Sequence, residues 1–435
     1  MNESPSPRRR ARARLAPVPE PGGHEPPSRR AFLRFLAASP LLSVAGLQAC
    51  ARDESTEGRA QGTAAGRTSR TGGAPALGDL IASPEDAINV FDFAAVAEDK
   101  LPPAHWGYLR TGVDDDVQLA VNREGFRRFH VRPRRLVDVH DPDTSVELFG
   151  ERWDTPIVIC PCGSQGAFHP EGELATARAA GAKGHLMMLS NVSSNGVEDV
   201  IAARGAPVWQ QLYPTDSWAV AEGVVRRAEA AGCPAIVLTV DLQPGGNRET
   251  LDRYIRTDTR DCEVCHTGAP MPMYDGLDLS GAEIIPTTLT WDFVERLRNA
   301  TPMRVLIKGI STAEDARLCV ENGVDGIVVS NHGGRADDFG LSTIEVLPEV
   351  VAAVGGRIPV IVDSGFRRGT DILKAMALGA SAVGIGRPYL WGLGAFGQPG
   401  VEAVLTLLRA ELVLAMQQAG IPSLSRIPAS AVART

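Results

Sequence analysis

The sequence predicts a (β/α)8 barrel preceded by an N-terminal helical extension. Three observations carry this: eight short apolar runs follow residue 156, helical patterns fill gaps between them, and ionisable or amide side chains recur just past run after run. The runs span 156–160, 185–189, 208–212, 235–240, 304–308, 326–329, 359–362 and 382–385. Between them, Ala-, Glu- and Arg-rich stretches such as 176–180, 219–231, 313–322, 370–378 and 401–418 end at or near Gly or Asn, as helices do. A doubly wound open sheet also alternates strand with helix. No Gly-x-Gly-x-x-Gly turn follows the first run, which disfavours a dinucleotide fold. Ahead of the barrel, Pro84-Glu85-Asp86-Ala87 predicts a capped helix start, with helical spacing continuing through Phe91, Phe93 and Val96 toward Leu101.

The 435 residues are 44% apolar and only 5% aromatic, enough for a large core, and a formal charge of −8 argues against a nucleic-acid partner. Positive charge gathers at the start instead, in Arg8, Arg9, Arg10, Arg12, Arg14, Arg29 and Arg30. Ser28-Arg29-Arg30-Ala31-Phe32-Leu33-Arg34 leads into a mildly apolar segment, 35–47, that Pro40 interrupts and that is too short to span a bilayer as a helix. This reads as a twin-arginine export signal, and Leu47-Gln48-Ala49-Cys50 resembles a lipobox whose cysteine carries a lipid. Residues 1–50 are therefore expected to be a signal, 51–78 a Gly-, Ala-, Thr- and Ser-rich tether, and 79–435 the folded barrel. The expected location is periplasmic or at the cell surface, with a lipid anchor to the membrane. Export in the folded state also leads us to expect a tightly held cofactor.

Residues at and just beyond the predicted strands collect on the rim where a barrel keeps its chemistry. Gln211 and Tyr213 belong to the third run, Asp241 to the fourth, Lys308 to the fifth, Ser330 and His332 to the sixth, Asp363 to the seventh, Gly386 and Arg387 to the eighth. Within Ser330-Asn331-His332-Gly333-Gly334-Arg335, the imidazole can take a proton near neutrality and the guanidinium can grip a carboxylate through paired hydrogen bonds. The pattern suggests an acid substrate that loses a proton. Gly365, Arg367, Gly386 and Arg387 follow the last two runs, where barrels commonly bind a phosphate.

These residues also carry a family resemblance. Lys308-Gly309, Thr312-Ala313-Glu314-Asp315-Ala316, Ser330 through Arg335, Arg367-Arg368-Gly369-Thr370-Asp371 and Gly386-Arg387-Pro388 resemble the FMN-dependent α-hydroxy-acid oxidases and dehydrogenases. Arg132-Pro133-Arg134, His169-Pro170-Glu171-Gly172-Glu173 and Gln211-Leu212-Tyr213 stand in the same order, so the likeness covers roughly residues 85 to 425. The resemblance implies FMN as cofactor, His332 as catalytic base or hydride-transfer partner, and Asp241 as the carboxylate that orients it. It implies that Arg248 and Arg335 hold the substrate carboxylate, with Tyr108 and Tyr213 hydrogen-bonding the carboxylate or hydroxyl. Lys308 would lie by the pyrimidine edge of the flavin. Ser190, Gln211, Thr239 and Ser330 would bind the ring and ribityl chain, and Asp363, Gly365, Arg367, Gly386 and Arg387 the ribityl and phosphate. The implied reaction oxidises an L-2-hydroxy acid to the 2-oxo acid. Electrons would pass to a quinone or cytochrome or, in an oxidase, to oxygen, and the family tends toward homo-oligomers.

Several positions depart from the family pattern. Leu242-Gln243-Pro244-Gly245-Gly246-Asn247-Arg248-Glu249 replaces a Thr-Pro-Arg-Leu-Gly-Arg-Arg-Glu type segment, leaving Arg248 in register among altered neighbours. Pro161-Cys162-Gly163 stands where Pro-Thr-Ala is common, and its glycine resembles the dehydrogenase branch. Val192 replaces a frequent aromatic, Arg335-Ala336-Asp337-Asp338 the usual Arg-Gln-Leu-Asp, and Asp363-Ser364-Gly365 an Asp-Gly-Gly. Cys262-Glu263-Val264-Cys265-His266 matches a c-type haem attachment pattern, but no cytochrome-like surroundings accompany it, so a disulfide, free thiols or a metal pair are the plainer readings. Cys160, Cys162, Cys233 and Cys319 read as structural thiols, and no metal site is expected. A type 2 isopentenyl diphosphate isomerase would share the phosphate end without needing His332, Arg335 and Arg248 together. A non-catalytic flavin- or haem-carrying module is the remaining alternative.

Overall fold

The computed structural model describes residues 80–242, 245–259 and 271–434. Eight parallel strands close into a barrel: β1 (Ile157–Ile159), β2 (Leu186–Leu189), β3 (Trp209–Leu212), β4 (Ala235–Thr239), β5 (Arg304–Ile310), β6 (Gly326–Val329), β7 (Val360–Val362) and β8 (Ala382–Ile385). All eight coincide with the apolar runs. The signal, the tether and the Cys262–His266 motif lie outside the described residues.

Alternation along each strand separates two cores. Val158, Leu186, Met188, Trp209, Val237, Leu306, Val328 and Ile361 fill the barrel interior, whereas Ile157, Ile159, Met187, Leu189, Ile236 and Ile327 face the surrounding helices. Phe149 and Trp153 pack against the inner set from the short hairpin of Val146–Leu148 and Glu151–Trp153. The barrel is thus a packed scaffold, and chemistry is left to its rim.

The N-terminal extension differs in detail from expectation. The turn at Pro84–Asp86 is a single 3-10 turn, and the chain leaves it before α1 (Val90–Lys100) begins. Asn89 caps α1 by accepting from Phe91 N at 2.9 Å, while Asp92 returns the bond by accepting from Asn89 N at 3.1 Å. That capping box is what splits one expected helix into two elements. α1 buries Val90, Phe93, Val96 and Ala97. Two further helices, α2 (Pro103–Arg110) and α3 (Val117–Glu124), lead to the strand Phe129–Val131, which pairs antiparallel with Val432–Arg434 and so ties the beginning of the folded body to its end.

The barrel helices that position the site include α4 (Gly172–Lys183), α5 (Val197–Arg204), α6 (Trp218–Ala230), α7 (Glu249–Thr257), α8 (Trp291–Ala300), α9 (Ala313–Glu321), α10 (Thr343–Val354), α11 (Gly369–Ala377), α12 (Arg387–Phe396) and α13 (Gln398–Ala419). No helix among the described residues is long and apolar enough to cross a membrane.

Candidate active site

The carboxyl ends of the strands surround a cleft whose walls include Tyr108, Gly163, Val192, Tyr213, Lys308, His332, Arg335, Asp363, Arg367 and Arg387. Residues separated by more than two hundred positions in sequence meet there because each strand delivers its next residue to the same rim.

At the centre, His332 Nδ1 lies 2.8 Å from Asp241 Oδ1, and its other ring nitrogen faces the Tyr213 hydroxyl at 3.4 Å. His332 has φ +56°, followed by Gly333 at +69° and Gly334 at +79°. This left-handed run turns the chain sharply at the strand end, and glycines carry the two positions where a side chain is not needed. The His332 backbone N–H donates to Ser330 Oγ at 3.0 Å, and Gly333 N to Ser364 Oγ at 3.0 Å, so the turn is pinned from two sides. Asp241 Oδ2 faces Lys308 Nζ at 3.5 Å, and Lys308 also approaches Asp363 Oδ2 at 3.7 Å and donates to Ser330 Oγ at 2.9 Å.

This buried charge chain sets the protonation states. Burial raises the Asp241 carboxyl, but the charges of Lys308 and His332 outweigh it and hold Asp241 down at about 2. Burial lowers the Lys308 pKa, yet Asp241 and then Asp363 more than offset it and hold the ammonium above its ordinary value. For His332, burial and then Lys308 lower the pKa, with Asp241 opposing both. The imidazole is therefore held neutral, as a proton acceptor, with a permanent carboxylate behind it.

Arg335 stacks its guanidinium 3.9 Å from the centre of the Tyr108 ring and donates to the Tyr108 carbonyl at 2.6 Å. Arg248 sits 5.6 Å from the same ring. The Arg335 charge, against burial and with help from Arg248, lowers the Tyr108 hydroxyl pKa, whereas burial raises that of Tyr213. Among the described residues neither arginine forms an ion pair with a carboxylate at the cleft, which suits a site for an anionic group supplied from outside.

Arg367 and Arg387 form a second cationic end. Arg387 donates to the carbonyls of Leu109 at 2.6 Å, Gly333 at 2.7 Å and Thr111 at 2.9 Å, while Arg367 lies 4.7 Å from the Trp391 ring centre. Burial, then the Arg335 charge, depress the Arg387 guanidinium to about 9, and burial lowers Arg367 well below its usual value. Two half-buried guanidiniums with no carboxylate ion pair among the described residues match a phosphate group. Gly365 and Gly386 flank them in the cleft wall. The residues present thus fit a phosphate-bearing cofactor.

Ser190, Gln211, Thr239 and Ser330, each about 1% exposed, are buried at the ends of β2, β3, β4 and β6. Gln211 Nε2 donates to Thr239 Oγ1 at 3.0 Å, which fixes its amide orientation. All of the sequence-predicted site residues are at the carboxyl rim or on segments folded over it. One cysteine reading needs correction: Cys160, Cys233 and Cys319 are buried thiols, but the half-buried Cys162 lines the cleft, which Cys160 also borders with its Sγ 3.6 Å from Asp363 Oδ2. The position of Cys162 just past β1 was the available signal. Ser364, with φ +76°, was seen only as a departure from a family pattern, yet its hydroxyl joins the His332 turn to Asp363, donating to Oδ1 at 2.8 Å. Tyr389 was not anticipated; its hydroxyl donates to the Cys160 carbonyl at 2.9 Å and accepts from Gln165 Nε2 at 3.3 Å.

A family model described as FMN-dependent dehydrogenase matches residues 97–434. Glycolate oxidase 1 of Oryza sativa subsp. indica is 43% identical over 352 residues, covering 78% of this chain and 94% of the relative. A soluble mutant of the membrane-associated (S)-mandelate dehydrogenase from Pseudomonas putida superposes with a TM-score of 0.75 at 36% identity, covering 80% of this chain and 100% of that one. A mandelate oxidase crystallised with (S)-2-phenylpropionate gives a TM-score of 0.72 at 40% identity, over 80% and 98% of the two chains. With barrel, cleft and likeness in agreement, the chain belongs to the FMN-dependent α-hydroxy-acid oxidase and dehydrogenase family, and FMN is its cofactor.

Proposed function

We propose that this enzyme oxidises an L-2-hydroxy acid to the 2-oxo acid. The 2.8 Å Asp241–His332 pair facing Tyr213 carries the reading, because it places a neutral base with a permanent counter-charge beside two guanidiniums free to take a carboxylate. The substrate carboxylate binds Arg335 and Arg248, which leaves its α-carbon and hydroxyl toward His332 and Tyr213. Oxidation removes two electrons and two protons, one from the hydroxyl and one from the α-carbon; His332 Nε2 accepts one proton, becoming an imidazolium that Asp241 stabilises, and the electrons leave with the other proton to the two-electron acceptor. FMN, when bound, supplies the two-electron acceptor. Arg367 and Arg387 would hold its phosphate and Asp363 its ribityl chain, Ser190, Gln211, Thr239 and Ser330 would bind its ring side, and Lys308 would provide a fixed cation there.

For the onward acceptor we favour a quinone or cytochrome at the membrane or in the periplasm. Support comes from the Arg29-Arg30 leader, the lipobox-like Leu47-Gln48-Ala49-Cys50 and Gly163 in the cleft wall. Oxygen as acceptor, giving hydrogen peroxide, is the second reading, and the 43% identity to a glycolate oxidase favours it. Anaerobic reduction by a 2-hydroxy acid followed by exposure to air separates them. Slow return of the yellow colour in air, with fast return on adding a quinone, supports the dehydrogenase; rapid return with stoichiometric peroxide supports the oxidase.

A further inference from the structure

Tyr108 and Arg248, both assigned above to the substrate carboxylate, stand on two helices that are held to the barrel very differently. α2 (Pro103–Arg110) is rooted in the body, burying Ala104, His105, Trp106, Gly107 and Leu109. α7 (Glu249–Thr257), which has Arg248 as its N-cap, buries Leu251 alone, and among the described helices and strands α2 is the one on which it packs extensively. A helix is fixed mainly by the face it buries, and one with so small a buried face takes its position from its neighbour. α2 is therefore the platform on which α7 rests.

The seat is built around the half-buried Tyr254. Gly107 of α2 approaches this side chain so closely that a Cβ there would lie 2.6 Å from Tyr254 Cβ and 2.7 Å from its Cγ. Glycine weakens a helix interior relative to alanine, and here its missing side chain is the space that the stem of the Tyr254 ring occupies. The Tyr254 hydroxyl accepts from Arg110 Nη1 at 2.7 Å. At the other end of the pair, α2 has no side-chain cap from Pro102, and Ala104 N donates instead to Asp258 Oδ2 at 3.1 Å. The residue that ends α7 thus caps the start of α2, and the two helices lie antiparallel.

Where α7 lies decides where Arg248 stands. Just before it, Asp114 N donates to the Asn247 carbonyl at 2.8 Å, which makes a pivot at the start of the helix. Tyr254, further along, fixes the angle about that pivot. The Arg248 guanidinium then sits 5.6 Å from the centre of the Tyr108 ring, the side chain next to Gly107. We propose that Tyr254 is a positioning residue for the oxidation: seated against Gly107 and tied to Arg110, it holds α7 at the angle that keeps Arg248 on the substrate carboxylate. This rests on the reading that Arg248 binds that carboxylate, and Tyr254 acts only through it. Misplacing such a clamp by an ångström costs up to about 100-fold.

The test uses the FMN-loaded full chain and whichever of lactate, glycolate and mandelate reduces it. Tyr254→Ala is expected to raise KM by about tenfold or more with kcat within about threefold, because a ground-state contact is loosened, while FMN content and thermal midpoint stay parental. Tyr254→Phe keeps the ring in its seat, loses only one exposed hydrogen bond, and returns KM to within about threefold of the parent. In a chain already carrying Arg248→Ala, adding Tyr254→Ala changes KM by less than about twofold, since the group it positions is gone. Where Arg248→Ala turns over too slowly, the dissociation constant of the matching 2-oxo acid, read from the flavin band, replaces KM. If Tyr254→Ala does not fold, Gly107→Ala, which wedges the same contact apart from the α2 side, takes its place and must show the same rise and the same dependence on Arg248. A parental KM in these variants beside a raised KM in Arg248→Ala overturns the proposal alone. So does a rise that is equal with and without Arg248, which would mark a general loosening. A parent that none of the three acids reduces, or an Arg248→Ala chain with the parental KM, overturns the reading of the substrate site, and the proposal falls with it.

Discussion

Asp241 and His332 share a 2.8 Å hydrogen bond across the barrel rim, although one follows β4 and the other β6. The strand between them, β5, inserts the Lys308 ammonium 3.5 Å from the far oxygen of the same carboxylate. One carboxylate therefore serves two cations, and this coupling decides what each variant does.

Replacing Asp241 by Asn keeps the shape but removes the charge that stabilises the imidazolium. We expect kcat/KM to fall by about 10²–10⁴. Asp241 raises the His332 pKa while burial and Lys308 lower it, so the acid limb of kcat/KM lies below the ordinary histidine value and moves lower still in Asp241→Asn. A pH–rate profile of parent and variant checks the sign, and an unmoved limb would separate the limb from His332.

Gly309 occupies the bulge of β5 with φ +111°, and a Cβ there would lie 2.6 Å from Asp241 Cβ. Gly309→Ala is expected to destabilise the fold by about 1–3 kcal/mol through strain and overlap, and to slow turnover by displacing Asp241. Urea unfolding and steady-state kinetics on the same preparation test both effects.

Arg335 both stacks on Tyr108 and donates to its carbonyl, two contacts that a planar guanidinium can combine and an ammonium cannot. Arg335→Lys should lower kcat/KM by about 100-fold, chiefly through KM if the residue binds the substrate carboxylate in the ground state. A fall confined to kcat would place the interaction in the transition state instead.

His185, buried beside β2 with Nδ1 3.0 Å from the Ile157 carbonyl, is lowered by burial to about 4. Its folded pKa lies below the unfolded value near 6.5, so the stability it contributes is complete above that value and is lost as pH falls toward 4. Between pH 7 and 5 the loss from this residue is about 2 kcal/mol. Urea titrations at the two pH values should show it in the parent and not in His185→Gln.

Most of the eight strands were legible because they are short, buried β-branched or aliphatic runs, while β3, with Gln210 and Gln211 inside it, was marked by Val208, Trp209 and Leu212 between helical patterns; the rim followed once their ends were fixed. α10 was less so: Pro348 lies within it and breaks the pattern that usually marks a helix interior. The break between Pro84–Asp86 and α1 was hidden because Phe91, Phe93 and Val96 continue the apolar spacing past the cap at Asn89. Among site residues, those with charge at a strand end could be read directly. Ser364 and Tyr389 could not, since a hydroxyl that joins two loops depends on contacts between segments far apart in sequence, and Cys162 resembled a core thiol until the cleft beside it was seen.

The most direct test is anaerobic mixing of the yellow holoprotein with lactate, glycolate and mandelate, followed at the flavin band, for the parent and His332→Ala. The account predicts bleaching of the parent by one or more of these acids, and a His332→Ala protein that keeps its FMN and its colour but bleaches at least about 100-fold more slowly. Bleaching of His332→Ala at the parental rate would contradict the assignment of His332 as the base.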